Sequence, residues 1–119
     1  MVLTRVLLPH FKRIKIGDII FIGSEAGLLG AKNGSLYCTT KFGLRGFSEA
    51  LSKDVTKKNI RVSIINLGMV RTNFFKNLNF EPGNDEKNVI SIKDVSSTVI
   101  FPENISWNIF PKIKGTTIK

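Results

Sequence analysis

Apolar residues at Val2, Leu3, Val6 and Leu7 recur with the three- and four-residue steps of a helix. The pattern predicts a helix over residues 2–8, with Pro9 expected to end or bend it. The periodicity is already running at residue 1 without a capping residue, as inside a longer element. Gly17-Asp18 signals a turn, and the unbroken run Ile19, Ile20, Phe21, Ile22 reads as a strand buried on both faces, as in a parallel sheet. Gly27, Gly30, Asn33 and Gly34 mark a loop, and Ser35 is the expected N-cap of a helix over 36–58. Leu44, Phe47, Leu51 and Val55 form its apolar stripe, while Tyr37, Lys41, Arg45 and Ser48 lie along a different face. Asn59 suits a left-handed residue after that helix, and 61–66 reads as a second buried strand.

Strand, helix and strand with a long crossover predict a right-handed βαβ unit and a parallel sheet. Residues 77–88 are polar around Pro82-Gly83 and read as an exposed loop. Ser91 and Asp94 have capping-box spacing and open a short helix to about residue 100, and 105–110 alternates as a last strand closed by Pro111. Gly43 and Gly46 each weaken the long helix by about 1 kcal/mol relative to alanine. Close approach of another helix would account for them.

A length of 119 residues allows one small domain, and 42% hydrophobic with 23% charged residues is globular composition. One cysteine excludes an internal disulfide and points to a reducing compartment. The apolar opening is short, broken by Arg5 and without a small-residue cleavage site, and no run reaches the ~20 residues of a membrane span. A cytoplasmic protein with no membrane association is therefore expected. The net charge of +9 invites a nucleic-acid reading. The basic residues are dispersed, however, and the nine phenylalanines fall mostly in apolar-patterned segments, which favours a solvated basic surface and core duty instead. Cys38 reads as a small buried group, His10 as a surface residue without a partner by spacing, and Trp107 as core.

Tyr37 and Lys41 stand one helical turn apart. A phenol is a weak acid–base group near neutrality, and a cation held beside it favours its ionised form. The pair alone says little, because with 13 lysines roughly one tyrosine in nine would carry lysine at that offset by chance. Ser24 adds weight: it follows a buried strand, and open α/β sheets bind ligands beyond the carboxyl ends of their strands. Hydroxyl, phenol and ammonium would then converge on one carbonyl oxygen. The alternatives are a turn-capping Ser24, a Tyr37 whose hydroxyl merely meets water, and a Thr72 that serves as a helix cap.

In three stretches the sequence resembles the short-chain dehydrogenase/reductase family. Gly17-Asp-Ile-Ile-Phe-Ile-Gly-Ser24-Glu-Ala-Gly27-Leu-Leu-Gly30 is similar to the family's strand ending in its catalytic serine. Tyr37-Cys-Thr-Thr-Lys41 resembles its Tyr-x-x-x-Lys helix, and the run from Ile60 through Gly68 to Thr72 resembles the next strand and its Pro-Gly-x-x-x-Thr loop. The likeness is strong to about residue 75 and weaker beyond. It implies that Tyr37 exchanges a proton with the substrate oxygen, that Lys41 favours the phenolate and binds the nicotinamide ribose, and that Ser24 polarises the carbonyl. Gly68, Val70 and Thr72 would contact the nicotinamide of NAD or NADP.

The sequence departs from the family in lacking a Thr-Gly-x-x-x-Gly-x-Gly turn and an Asn-Asn-Ala-Gly stretch, and in having Leu67 where proline is usual. The spacing Gly23, Gly27, Gly30 imitates a phosphate-binding turn but leads into a loop. The expectation is therefore an α/β chain forming, over 1–119, the C-terminal part of a doubly wound Rossmann-type parallel sheet, incomplete without its dinucleotide-binding half. The implied function is NAD(P)-dependent interconversion of a small-molecule alcohol and carbonyl, with no metal, in a homo-oligomer packed through helices. The competing readings are an inactive truncated fragment or interaction module, and, less favoured, a basic nucleic-acid-binding protein.

Overall fold

Two parallel strands and the helix that connects them organise the chain. The computed structural model describes residues 1–55, 58–74, 89–100 and 116–118. Its elements are α1 (Val2–Ile14), β1 (Gly17–Ile22), a 3-10 turn at Glu25–Gly27, α2 (Ser35–Val55), β2 (Ile60–Leu67), α3 (Ile92–Ile100) and β3 (Thr116–Ile118). β1 and β2 pair in parallel from Gly17 opposite Ile60 to Ile22 opposite Ile65. β3 adds antiparallel to the other edge of β2, giving the order β1-β2-β3. An antiparallel edge strand beside parallel strands is common in α/β folds.

Side-chain alternation sends the apolar residues of the sheet into two layers. On one face Ile60 joins Leu51 and Val55 of α2, with Leu8 and Phe11 of α1 and Ile19, Phe21, Phe47 and Val62 packed around them. Phe21 and Phe47 meet edge-to-face at 5.8 Å between centroids, a favoured aromatic geometry. On the other face Ile65, Leu67 and Ile90 pack with Ile20, Val70, Val95 and Val99, so α3 covers that side. β2 is buried along nearly its whole length, because packed residues cover both of its faces.

Several local expectations change. α1 continues through Pro9 to Ile14 rather than stopping there. Proline forfeits the bond to the Arg5 carbonyl, a cost of about 3 kcal/mol. Leu8 and Phe11, on either side of Pro9, pack into the core and hold the helix together across it. Lys12 and Arg13 also favour its C-terminal end electrostatically, before Lys15 closes it in the left-handed region at φ 56°. Asn59, itself left-handed at φ 52°, donates from Nδ2 to the Lys15 carbonyl at 3.2 Å. That bond ties the ends of α1 and α2 together below the two strands.

β1 is not buried on both faces: its residues are at most half-buried, because the strand is the sheet's edge among the described residues. α2 starts one residue early, with Ser35 as its first residue and the Gly34 carbonyl accepting from the Cys38 N–H at 2.7 Å. It is described to Val55, residues 56 and 57 lie outside the described set, and Lys58 sits in a 3-10 turn. Gly43 and Gly46 face open space among the described residues, so no described helix makes the close approach expected there. His10 does have a partner, Arg13 one turn on at 3.1 Å. The capping box is present as read: the Asp94 N–H donates to Ser91 Oγ at 3.1 Å and Asp94 Oδ2 accepts from the Ser91 N–H at 3.3 Å. The expected loop at 77–88, strand at 105–110 and core role of Trp107 fall outside the described residues.

Candidate active site

Ser24 is placed by the end of β1. The Gly23 N–H donates to the Ile65 carbonyl at 2.7 Å, extending the parallel ladder one residue past the strand and delivering Ser24 at its carboxyl end. There Ser24 Oγ accepts from the Ala26 N–H at 3.2 Å and caps the 3-10 turn. The capping role weighed from the sequence is therefore real. It uses only an acceptor lone pair, so the hydroxyl can still donate its own proton.

The turn brings β1 onto α2. A methyl group on Gly27 would lie 2.9 Å from the Lys41 carbonyl oxygen, so glycine permits this close packing of turn on helix. Lys41 leans back toward the strand: Nζ donates to the Ile22 carbonyl at 3.4 Å and stands 5.6 Å from the centroid of the Tyr37 ring. Carbonyl and ring together hold the ammonium between β1 and the phenol. Tyr37 is 42% exposed, so its hydroxyl-bearing ring is open to an incoming molecule. Cys38, beside it in sequence, turns inward and is buried as expected.

The segment after β2 closes the site from the other side. Gly68, Val70 and Thr72 follow Leu67, and Val70 bridges to Ile90 in parallel fashion. Ile90 donates to the Met69 carbonyl at 2.8 Å and accepts from Arg71 at 3.1 Å, which pins the loop. Thr72 Oγ1 accepts from the Phe74 N–H at 3.2 Å. The Phe74 ring lies 6.3 Å, centroid to centroid, from Tyr37. Ser24, Tyr37, Lys41 and the 68–72 loop thus gather around the carboxyl ends of two parallel strands, where open α/β sheets bind ligands. Backbone amides and a threonine hydroxyl on a pinned loop are chemically suited to a carboxamide, which both donates and accepts. Among the described residues no group of three histidine, cysteine, aspartate or glutamate side chains is placed to hold a metal.

Two residues went unnoticed in the sequence. Phe74 was absorbed into the general expectation that phenylalanines are core, although it stands two residues beyond Thr72. Asn66 is 1% exposed, with neither Oδ1 nor Nδ2 hydrogen-bonded among the described residues. A side chain on Gly23 would collide with its Oδ1. The strand's alternation was the available signal, since Asn66 shares the parity of Val62 and Ile64.

A family model described as short chain dehydrogenase matches residues 1–82. The chain is 41% identical over 81 residues to a 3-oxoacyl-[acyl-carrier-protein] reductase of Bos taurus, covering 68% of this chain and 34% of that protein. It is 40% identical over 74 residues to an NADP-dependent 3-hydroxy acid dehydrogenase of Schizosaccharomyces pombe, covering 62% of this chain and 29% of that protein. The closed form of serine dehydrogenase complexed with NADP+ superposes with a TM-score of 0.72 at 32% identity, over 89% of this chain and 46% of that one. The chain spans about a third of the length of the curated relatives it matches.

Proposed function

Since this chain belongs to the short-chain dehydrogenase family, we propose that the protein interconverts an alcohol and a carbonyl compound using NAD or NADP. The observation that carries this reading is Lys41 Nζ held between the Ile22 carbonyl and the Tyr37 ring, on a helix packed against the turn that Ser24 opens. In the direction of reduction, Tyr37 donates its proton to the substrate oxygen. Ser24 donates a hydrogen bond to the same oxygen and polarises the carbonyl. Lys41 stabilises the phenolate left behind and hydrogen-bonds the ribose of the cofactor. Gly68, Val70 and Thr72 receive the nicotinamide carboxamide and orient its ring. The cofactor, when bound, supplies or accepts the hydride, while the protein supplies position and electrostatics.

The names of the relatives point to 3-oxoacyl or 3-hydroxy acid compounds as the substrate class. The NADP+ bound to the structural neighbour and the NADP dependence of the second relative point to NADP. The protein would act in the cytoplasm as a homo-oligomer. Support for assembly comes from α1, which has no buried residue of its own and leaves Val2, Leu3 and Val6 largely exposed, and from the open surface over Gly43 and Gly46. Those same surfaces favour a second reading, an interaction module that retains the βαβ scaffold. No described helix is long and apolar enough to cross a membrane.

A titration of the full chain with NADPH, followed by nicotinamide fluorescence and paired with turnover of a 3-oxoacyl thioester, separates the two. Saturable binding that Tyr37→Phe leaves intact while turnover disappears supports the dehydrogenase. Absence of cofactor binding by the wild-type chain and its assemblies supports the interaction module.

A further inference from the structure

We propose that the end of the sheet opposite the candidate active site is a docking surface for an anionic lipid bilayer. The surface goes beyond the proposed reaction and does not depend on it.

Basic residues dispersed along the sequence are brought together at this end by the fold. α1 carries Lys12 and Arg13 in its last turn and closes on Lys15, while α2 carries Lys53 in its last turn, with Lys58 beyond it. Asn59 Nδ2 donates to the Lys15 carbonyl, so the two segments meet just ahead of the paired strand starts, Gly17 and Ile60. All five basic residues are exposed, and none is bonded to a carboxylate among the described residues. Of the carboxylates at this end, Asp18 is bound to Arg61, which leaves Asp54 beside Lys53 as the counter-charge.

Ile14 and Ile16 alternate with these cations and are 47% and 60% exposed. Cations interleaved with aliphatic side chains match a surface that offers anionic headgroups over hydrocarbon. A protein partner is the poorer match, because lysine is depleted from protein interfaces and their anchors are aromatic. Isoleucine gives nucleic-acid bases no stacking platform. β1 spans six residues, or ~20 Å, so a bilayer docked here leaves the carboxyl ends of the strands, with Ser24, clear of it. Attachment of this kind needs no spanning run, and it revises the expectation of no membrane association.

Flotation of the full chain with phosphatidylcholine vesicles, with and without about 30 mol% phosphatidylserine, tests the proposal. Binding to the anionic vesicles alone, weakened by salt, is the expected result. Lys12→Gln combined with Lys58→Gln takes one cation from each segment and should lower the partition coefficient about 25-fold, or fivefold per charge. Lys32→Gln combined with Lys93→Gln removes two exposed cations near the carboxyl ends of the strands and should stay within about twofold of wild type. Ile16→Ser, which leaves the charge unchanged, should lower partitioning about fivefold. Should circular dichroism show the first pair unfolded, Lys15→Asn, suited to its left-handed position, carries the same contrast against Lys32→Gln. Equal loss in the two pairs, wild-type partitioning of Ile16→Ser, equal binding to neutral vesicles, or no vesicle binding overturns the proposal. Binding of a labelled DNA duplex or of polyglutamate that needs Lys12 and Lys58, without binding of anionic vesicles, overturns it in favour of a nucleic acid or an acidic protein.

Discussion

Lys41 Nζ stands 5.6 Å from the centre of the Tyr37 ring and, in the same conformation, donates to the Ile22 carbonyl at 3.4 Å. One side chain therefore joins the end of β1 to the first turns of α2. Tyr37→Phe removes a hydroxyl from a ring that is not fully buried and should leave the far-UV circular dichroism and the thermal midpoint close to wild type. Turnover should fall about 10²–10⁴-fold, the usual contribution of a positioned proton donor. On the proposed mechanism, in which the ammonium serves both phenol and ribose, Lys41→Met should lose activity and also weaken NADPH binding. A Lys41→Met variant with wild-type cofactor affinity would detach Lys41 from the cofactor.

Gly23 and Asn66 are matched across the sheet: Asn66 Oδ1 occupies the space that a side chain on residue 23 would need. Gly23→Ala should destabilise the chain by about 1–3 kcal/mol, the usual range for overpacking. Asn66→Ala should cost little, since its amide has no hydrogen-bond partner among the described residues to lose. The double variant should recover much of the stability lost in Gly23→Ala, a coupling of about 0.5–3 kcal/mol. Urea unfolding of the four proteins measures the cycle, and strict additivity would refute the match.

The reciprocal bonds between Ser91 and Asp94 open α3, which covers the face of the sheet beneath the 68–72 loop. Ser91→Ala should cost about 1 kcal/mol. Since Val95 and Val99 pack against the same Ile65, Leu67 and Ile90 cluster as Val70, loosening α3 should also reach the loop. Faster amide exchange at Val70 and Arg71 in Ser91→Ala is the expected sign, read by hydrogen–deuterium exchange.

The parts of the fold legible in the sequence are those governed by one strong local rule. An unbroken β-branched and aromatic run marks β1, a β-branched-rich segment marks β2, Ser91 and Asp94 mark a helix start, and Asn59 marks a left-handed closure. Pro9 misled because the proline rule is local, whereas Leu8 and Phe11 hold α1 together through the core. The exposure of β1 was hidden for a related reason: an apolar run shows what a strand can bury, not what lies over it. At the site, motif spacing is what singles out Ser24, Tyr37 and Lys41 as candidates. The contact of Phe74 with Tyr37 has no such signal, because it depends on a loop bent back onto α2, a relation with no sequence period. Asn66 was equally opaque, since an asparagine in an apolar strand resembles a strand end until its burial is seen.

α1 leaves one apolar side uncovered while its other side, through Leu8 and Phe11, packs on the core. Val2 is 79% and Val6 67% exposed, and they stand four residues apart on the helix surface. An apolar stripe of that kind on a helix with no buried residue is suited to cover by a second copy or another chain. Val6→Glu places a charge in the stripe without touching the core residues. The far-UV circular dichroism should therefore be retained while the assembled fraction falls, as measured by sedimentation equilibrium across a concentration series. Gly46→Leu on α2, where a side chain meets open space among the described residues, should act in the same direction if the two helices share one interface. A mass unchanged by both substitutions would show that the stripe remains uncovered in solution and that α1 takes no part in assembly.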